Sequence, residues 1–156
     1  MGYSTDFDGV FRLDRPLTAA HANYLTAFAK TRRVRLPPEA VLRLADPIRV
    51  AAGLPAVPAY RVALPLGQSY DFNTPPEGQP GLWCQWQPTP DATGIEWDRG
   101  SGFYDYVEWL EYLIVHFLNP WEYTLSGTVR WRGEEFDDVG RIDVRANIVT
   151  ATAGHA

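Results

Sequence analysis

Lys30, Arg32, Arg33 and Arg35 crowd four cationic side chains into one short stretch of a chain whose formal charge is −5. An arginine guanidinium presents paired donors in a planar fork that matches phosphate or carboxylate, so the cluster has the chemistry of anion recognition. Tyr70 and Phe72, from the proline-rich stretch that follows, and Trp86, from an aromatic run further on, offer flat rings to fold over a bound anion. Stacking and cation–π attraction then suit a small anionic ligand such as a nucleotide. The residues expected to bind it are Lys30, Arg32, Arg33, Arg35, Tyr70, Phe72 and Trp86. The competing explanation is structural: basic residues ending a helix complement its dipole and pair with surface acids.

Other reactive side chains do not assemble into a pattern. Glu108 and Glu111 lie one helical turn apart beside Asp105, but acids early in a helix also favour its dipole, and no base accompanies them. A hydrolase built on Glu96, Asp105 and Glu108 requires all three in one cleft. His21, His116 and His155 are widely separated, without zinc-ligand spacing, so neither metal nor cofactor is expected. Cys84 sits in an aromatic run and reads as a small core residue. Asp6 and Asp8 share one face of a strand, and Glu134, Glu135, Asp137 and Asp138 form an acidic turn that lacks the spacing of a calcium loop. Glycine-rich phosphate loops and the G-x-S-x-G elbow are absent. No catalytic residue is therefore expected, and the chain reads as a binding protein.

The elements that must position these groups follow from periodicity. Tyr3, Thr5, Phe7, Gly9, Phe11 and Leu13 alternate with polar residues, predicting a half-buried strand. Thr18 is a suitable N-cap for a helix carrying Tyr24, Leu25 and Phe28 and ending near Lys30. Residues 36–80 hold most of the thirteen prolines and read as an irregular insertion, with short helical stretches at Pro38–Leu44 and Asp46–Ala52. Two aromatic runs, Leu82–Gln87 and Gly94–Asp98, flank a turn-rich segment and predict a hairpin, with Trp83, Trp86, Ile95 and Trp97 shared between its faces. A second helix, capped by Ser101, carries an apolar stripe from Phe103 to Leu118 and ends at Asn119-Pro120. Trp109 and Tyr112 fall beside that stripe, which suggests an aromatic patch for a partner or a second copy. Residues 123–132 and 141–148 then alternate as a long hairpin with one wet face, closed by the acidic turn. The expected fold is α+β: a two-layer sandwich with two helices on one face of a five-stranded, mainly antiparallel sheet. Residues 1–150 form the domain and 151–156 a flexible tail.

Composition bounds the function. A chain of 156 residues is long enough for one domain with a proper core. The −5 charge argues against affinity for a DNA or RNA backbone, which comes from neutralising phosphates. One cysteine permits no intrachain disulfide, and no apolar run approaches the roughly 20 residues that span a bilayer. A cytoplasmic location away from membranes is expected.

Three segments carry a resemblance: Gly78-Gln79-Pro80-Gly81-Leu82-Trp83-Cys84-Gln85-Trp86, FYDYVEWLEYLIVHFLNPW from Phe103, and LSGTVRWRGEEFDDVGRIDVRANIV from Leu125. Together they resemble a family of small proteins of bacteria and their phages, strongly over the last half and more loosely over the opening strand and helix. The resemblance implies one cytosolic domain, brings no catalytic residues, and favours a non-enzymatic role such as sequestering a host defence signal or blocking a host defence protein. An interaction module presenting its second helix or a sheet edge is the alternative.

Overall fold

The computed structural model describes residues 2–30, 53, 80 and 83–154. Its sheet has six strands, all antiparallel, rather than five, in the order β2-β3-β1-β4-β5-β6. The strands are β1 (Thr5–Leu13), β2 (Trp86–Pro88), β3 (Gly94–Trp97), β4 (Leu125–Gly133), β5 (Val139–Arg145) and β6 (Ile148–Ala153). Two helices among the described residues, α1 (Ala19–Ala29) and α2 (Tyr106–Leu113), complete the α+β arrangement.

Alternation fixes which face of the sheet is covered, because directly opposed residues of antiparallel strands share a face. Phe7 opposes Trp131, Gly9 opposes Val129, Val129 opposes Ile142, and Phe11 opposes Ile95. These side chains, with Trp86, Leu125 and Val144, form one core with Phe28, Trp109, Leu110, Leu113 and Leu118 of the helical layer. Trp131 lies over Gly140, its cross-strand partner: a Cβ at Gly140 would fall within the indole, so no other residue fits there.

Thr18 caps α1 as expected, its hydroxyl accepting from the His21 N–H at 3.2 Å. Helix α2 begins later than expected. Ser101 does not cap it; Asp105, in a left-handed conformation (φ 55°), stands at the N-cap without a side-chain hydrogen bond. The helix continues into one π turn, Ile114–Leu118, where Asn119 N–H donates to Ile114 O at 2.8 Å. The extra residue in that turn lets Ile114, Phe117 and Leu118 all face the core while Val115 and His116 face out.

Trp109 and Tyr112, expected at the margin of the stripe, are 0% and 5% exposed. The reason is α1: Phe28 packs its ring 6.0 Å from Trp109 and 6.3 Å from Tyr112, so the aromatic patch is interior. Trp86 and Trp97 oppose each other in register, and Pro88 opposes Ile95, so this hairpin sends its large residues to one face and not both. Trp83 is the exposed tryptophan, at 46%.

The last expected strand divides in two. Ala146 (φ 48°) and Asn147 (φ 70°) both take positive φ, the signature of a two-residue type I′ turn, and the chain returns as β6. Residues 151–153, expected in a flexible tail, therefore lie in β6. Asn147 makes this turn part of the fold: its side chain accepts from Leu125 N–H at 2.6 Å and donates to Asn119 Oδ1 at 2.6 Å and Tyr123 O at 2.9 Å.

Candidate functional site

Of the residues expected to bind an anion, Arg32, Arg33, Arg35, Tyr70 and Phe72 lie outside the described residues, as do the helical stretches expected at 38–44 and 46–52 and, apart from residues 53 and 80, the insertion itself. Lys30 is exposed at the end of α1, its backbone N–H donating to Ala27 O at 3.1 Å. Trp86 is 1% exposed and donates its indole N–H to Tyr106 O at 2.8 Å. Its ring is flanked by Phe7, Phe11 and Phe103, with centroids 5.3, 5.6 and 5.3 Å away. Packed in this way, the Trp86 ring belongs to the core.

The carboxylates considered for hydrolysis do not meet. Glu96 opposes Gln87 and has the opposite parity to the buried Ile95, which puts it on the face of the sheet away from the helices. Asp105 and Glu108 stand at the start of α2, in the helical layer. Among the described residues, no group of three or more histidine, cysteine, aspartate or glutamate side chains is arranged to hold a metal ion. His21 stacks on Trp121 with centroids 3.9 Å apart and places Nδ1 2.9 Å from the Tyr123 hydroxyl, while Arg15 covers the other ring of that group, Tyr123, at 4.0 Å. Arg15 also donates to Trp121 O and Glu122 O, so this cluster ties the entry of α1 to the loop before β4. Cys84 is buried.

The acidic turn is also occupied structurally. Asp138 accepts from the Tyr3 hydroxyl at 2.7 Å and the Trp131 indole at 3.1 Å, and Glu134 accepts from Ser4 N–H at 2.7 Å. Nearby, burial pushes the Tyr106 hydroxyl up to about 12, assisted by the negative charge of Asp138.

The open face of the sheet carries a different pattern. Register places Asp6 opposite Arg132 and Asp8 opposite Arg130, and then Arg130 opposite Arg141. Cross-strand neighbours have Cβ atoms roughly 4.5–5.5 Å apart, and like charges in that position are unfavourable. Arg132 and Arg145 lie two and four residues along the same faces of their strands. From β1, Asp6 and Asp8 offset part of this charge, and from β5 Asp143 offsets a further part. Asp143 accepts from the Thr128 hydroxyl at 2.6 Å and pairs with Arg141 at 2.9 Å, and the Thr128 hydroxyl and then the guanidinium hold its carboxyl below the ordinary range. That is the one ion pair among the described residues.

Two shallow depressions border the Arg130–Arg141 pair. One, of about 340 Å³, is lined by Asp6, Asp8, Arg130, Arg132, Val139 and Gly154 among others. The other, of about 300 Å³, is lined by Arg141, Asp143, Arg145, Ile148, Thr150 and Thr152. The guanidinium forks that line both depressions, and the threonine hydroxyls that line the second, can receive an anion's oxygens beside the carboxylates of Asp6, Asp8 and Asp143. The sequence already showed these arginines on the wet side of two alternating runs. It did not show that the runs pair with Arg130 against Arg141, which depends on the length of the acidic turn. No family model, curated protein or solved structure matches the chain.

Proposed function

We propose that the chain is a non-catalytic, cytoplasmic binding protein that holds a small anionic ligand, of the phosphate-bearing or nucleotide class, on the arginine half of its open sheet face. The observation that carries this reading is the cross-strand pair Arg130–Arg141. Two like charges set opposite each other cost stability, and a bound anion converts that cost into charge-assisted hydrogen bonds. Arg132, Arg145 and Thr150 extend the same surface. The resemblance to small bacterial and phage proteins supports sequestration of a signalling nucleotide or another anionic host defence signal. The basic stretch Lys30, Arg32, Arg33 and Arg35 is the second place for such a ligand; of these residues Lys30 ends a helix of the covering layer, across the sheet from the open face.

Isothermal titration of the full chain with ATP, ADP, a cyclic nucleotide and inorganic phosphate tests the reading. The Arg130→Ala, Arg141→Ala variant is expected to lose at least about a hundredfold in affinity, at about 1.5–3 kcal/mol for each of the two charged contacts. A variant with Lys30, Arg32 and Arg33 changed to alanine is expected to retain affinity. The reverse result moves the site to the basic stretch, and no binding in any arm removes the proposal.

A further inference from the structure

The two edges of the sheet are protected very differently. Edge strand β2 is three residues long and contains Pro88. A short edge with proline offers little for another strand to pair with. Edge strand β6, Ile-Val-Thr-Ala-Thr-Ala, has six residues, no proline and no charge, whereas β1, β3, β4 and β5 all carry charged side chains. Ile148, Thr150, Ala151 and Ala153 are exposed, Ile148 at 68%. Among the described residues, none of the usual guards against strand addition stands on this edge.

Its hydrogen-bonding phase follows from the hairpin. The residues flanking a two-residue turn form a hydrogen-bonded pair, here Arg145 and Ile148, and such pairs recur at every second position. Ile148, Thr150 and Thr152 therefore direct their peptide groups to β5, as Gly154 does when its N–H reaches Val139 O at 2.7 Å. The N–H and C=O groups of Val149, Ala151 and Ala153 point outward.

We infer that β6 pairs antiparallel with β6 of a second copy of the chain, across a two-fold axis through Ala151. In that register Ala151 faces its own counterpart and Val149 faces Ala153, so every outward peptide group of the strand finds a partner. Thr150 faces Thr152 on the open side, a favourable cross-strand pair. Ile148 faces Gly154, around which a side chain would meet nothing within 4 Å, leaving room for the isoleucine. A two-fold axis sets identical charges in opposition wherever a strand carries them near its centre; β6 carries none, which suits it to its own copy. The nearest cations, Arg141 and its counterpart, are separated by three strand spacings and two residues along the strand, about 16 Å, which is beyond the ~8 Å screening length at physiological salt. The joint is an edge and not a face, so it belongs to the small-interface class and its dissociation constant is expected near 10–100 µM. This inference does not depend on the anion site.

Sedimentation velocity of the full chain from about 1 to 500 µM is expected to shift from the mass of one chain to that of two. Ala151→Lys sets two ammonium groups against each other on the axis while leaving the inward ladder intact, and it is expected to stay monomeric throughout. Should that variant fold poorly by circular dichroism, Val149→Pro, which deletes an outward N–H, serves the same purpose. Ala151→Cys is expected to form a disulfide dimer under mild oxidation, because hydrogen-bonded opposed residues place their Cα atoms about 5.5 Å apart, within disulfide reach. A wild-type chain monomeric at the highest concentration overturns the inference and leaves the edge for a foreign strand. A dimer that survives both Ala151→Lys and Val149→Pro, or that Ala151→Cys fails to cross-link, places the contact elsewhere.

Discussion

Two buried tryptophans undergo the same substitution with opposite polar consequences. Trp86 and Trp109 are 1% and 0% exposed, and each contributes to the single core. Changing either to phenylalanine removes the same atoms, at about 1–2 kcal/mol for lost transfer energy and cavity. The indole N–H separates them. Trp86 donates to Tyr106 O at 2.8 Å, whereas the Trp109 N–H finds no acceptor among the described residues. Trp86→Phe thus forfeits a further ~1 kcal/mol of hydrogen bonding, and Trp109→Phe removes a buried unsatisfied donor that costs about 1–3 kcal/mol. The net expectation is a loss of about 2–3 kcal/mol at Trp86 and within about 1 kcal/mol of neutral at Trp109. Guanidinium denaturation followed by circular dichroism, with unchanged m-values, measures the difference; in thermal melts it corresponds to about 5–10 °C for a domain of this size. Equal losses at the two sites, or a larger loss at Trp109, would refute the assignment of a burdened indole at the centre of the helical layer.

Asn147→Gly is expected to destabilise the chain by about 2 kcal/mol, although glycine is the residue a type I′ turn favours, because Leu125 N–H and Tyr123 O lose their side-chain partner; urea denaturation checks it. Asp91 is held down to about 2 by the Thr93 hydroxyl, the Thr89 hydroxyl and the Thr93 N–H. Its folded value lies below the unfolded 3.8, so its contribution is present above that value and disappears as pH falls from about 4 to 2; Asp91→Asn should flatten this part of the stability-pH curve, and an unaltered slope would count against it.

Much of the fold is legible in the residues themselves. The period of two in Thr5–Leu13, the Thr18 cap, the stripe of α2 and the alternation after Leu125 each reflect local rules of side-chain direction, which hold before any tertiary contact forms. The α+β class follows from their order. Local signals also misled in identifiable places. Ala146 and Asn147 continue the alternation of β5, and nothing in their types demands positive φ; the turn is fixed by Asn147 reaching Leu125, Asn119 and Tyr123, distant in sequence. Trp109 and Tyr112 lie beside the stripe of an isolated α2, and only the approach of Phe28 on α1 makes them core.

The candidate site divides along the same line. Sequence alone determined that arginines occupy the wet side of β4 and β5, since parity assigns a face to each residue. Which arginine meets which is a matter of register, set by turn length and by Trp131 lying over Gly140, and therefore by packing. Likewise, the uncharged composition of residues 148–153 was visible from the start. That this run is an outer edge, with half its peptide groups facing away from the sheet, is a property of strand order, which depends on contacts between segments far apart in the chain.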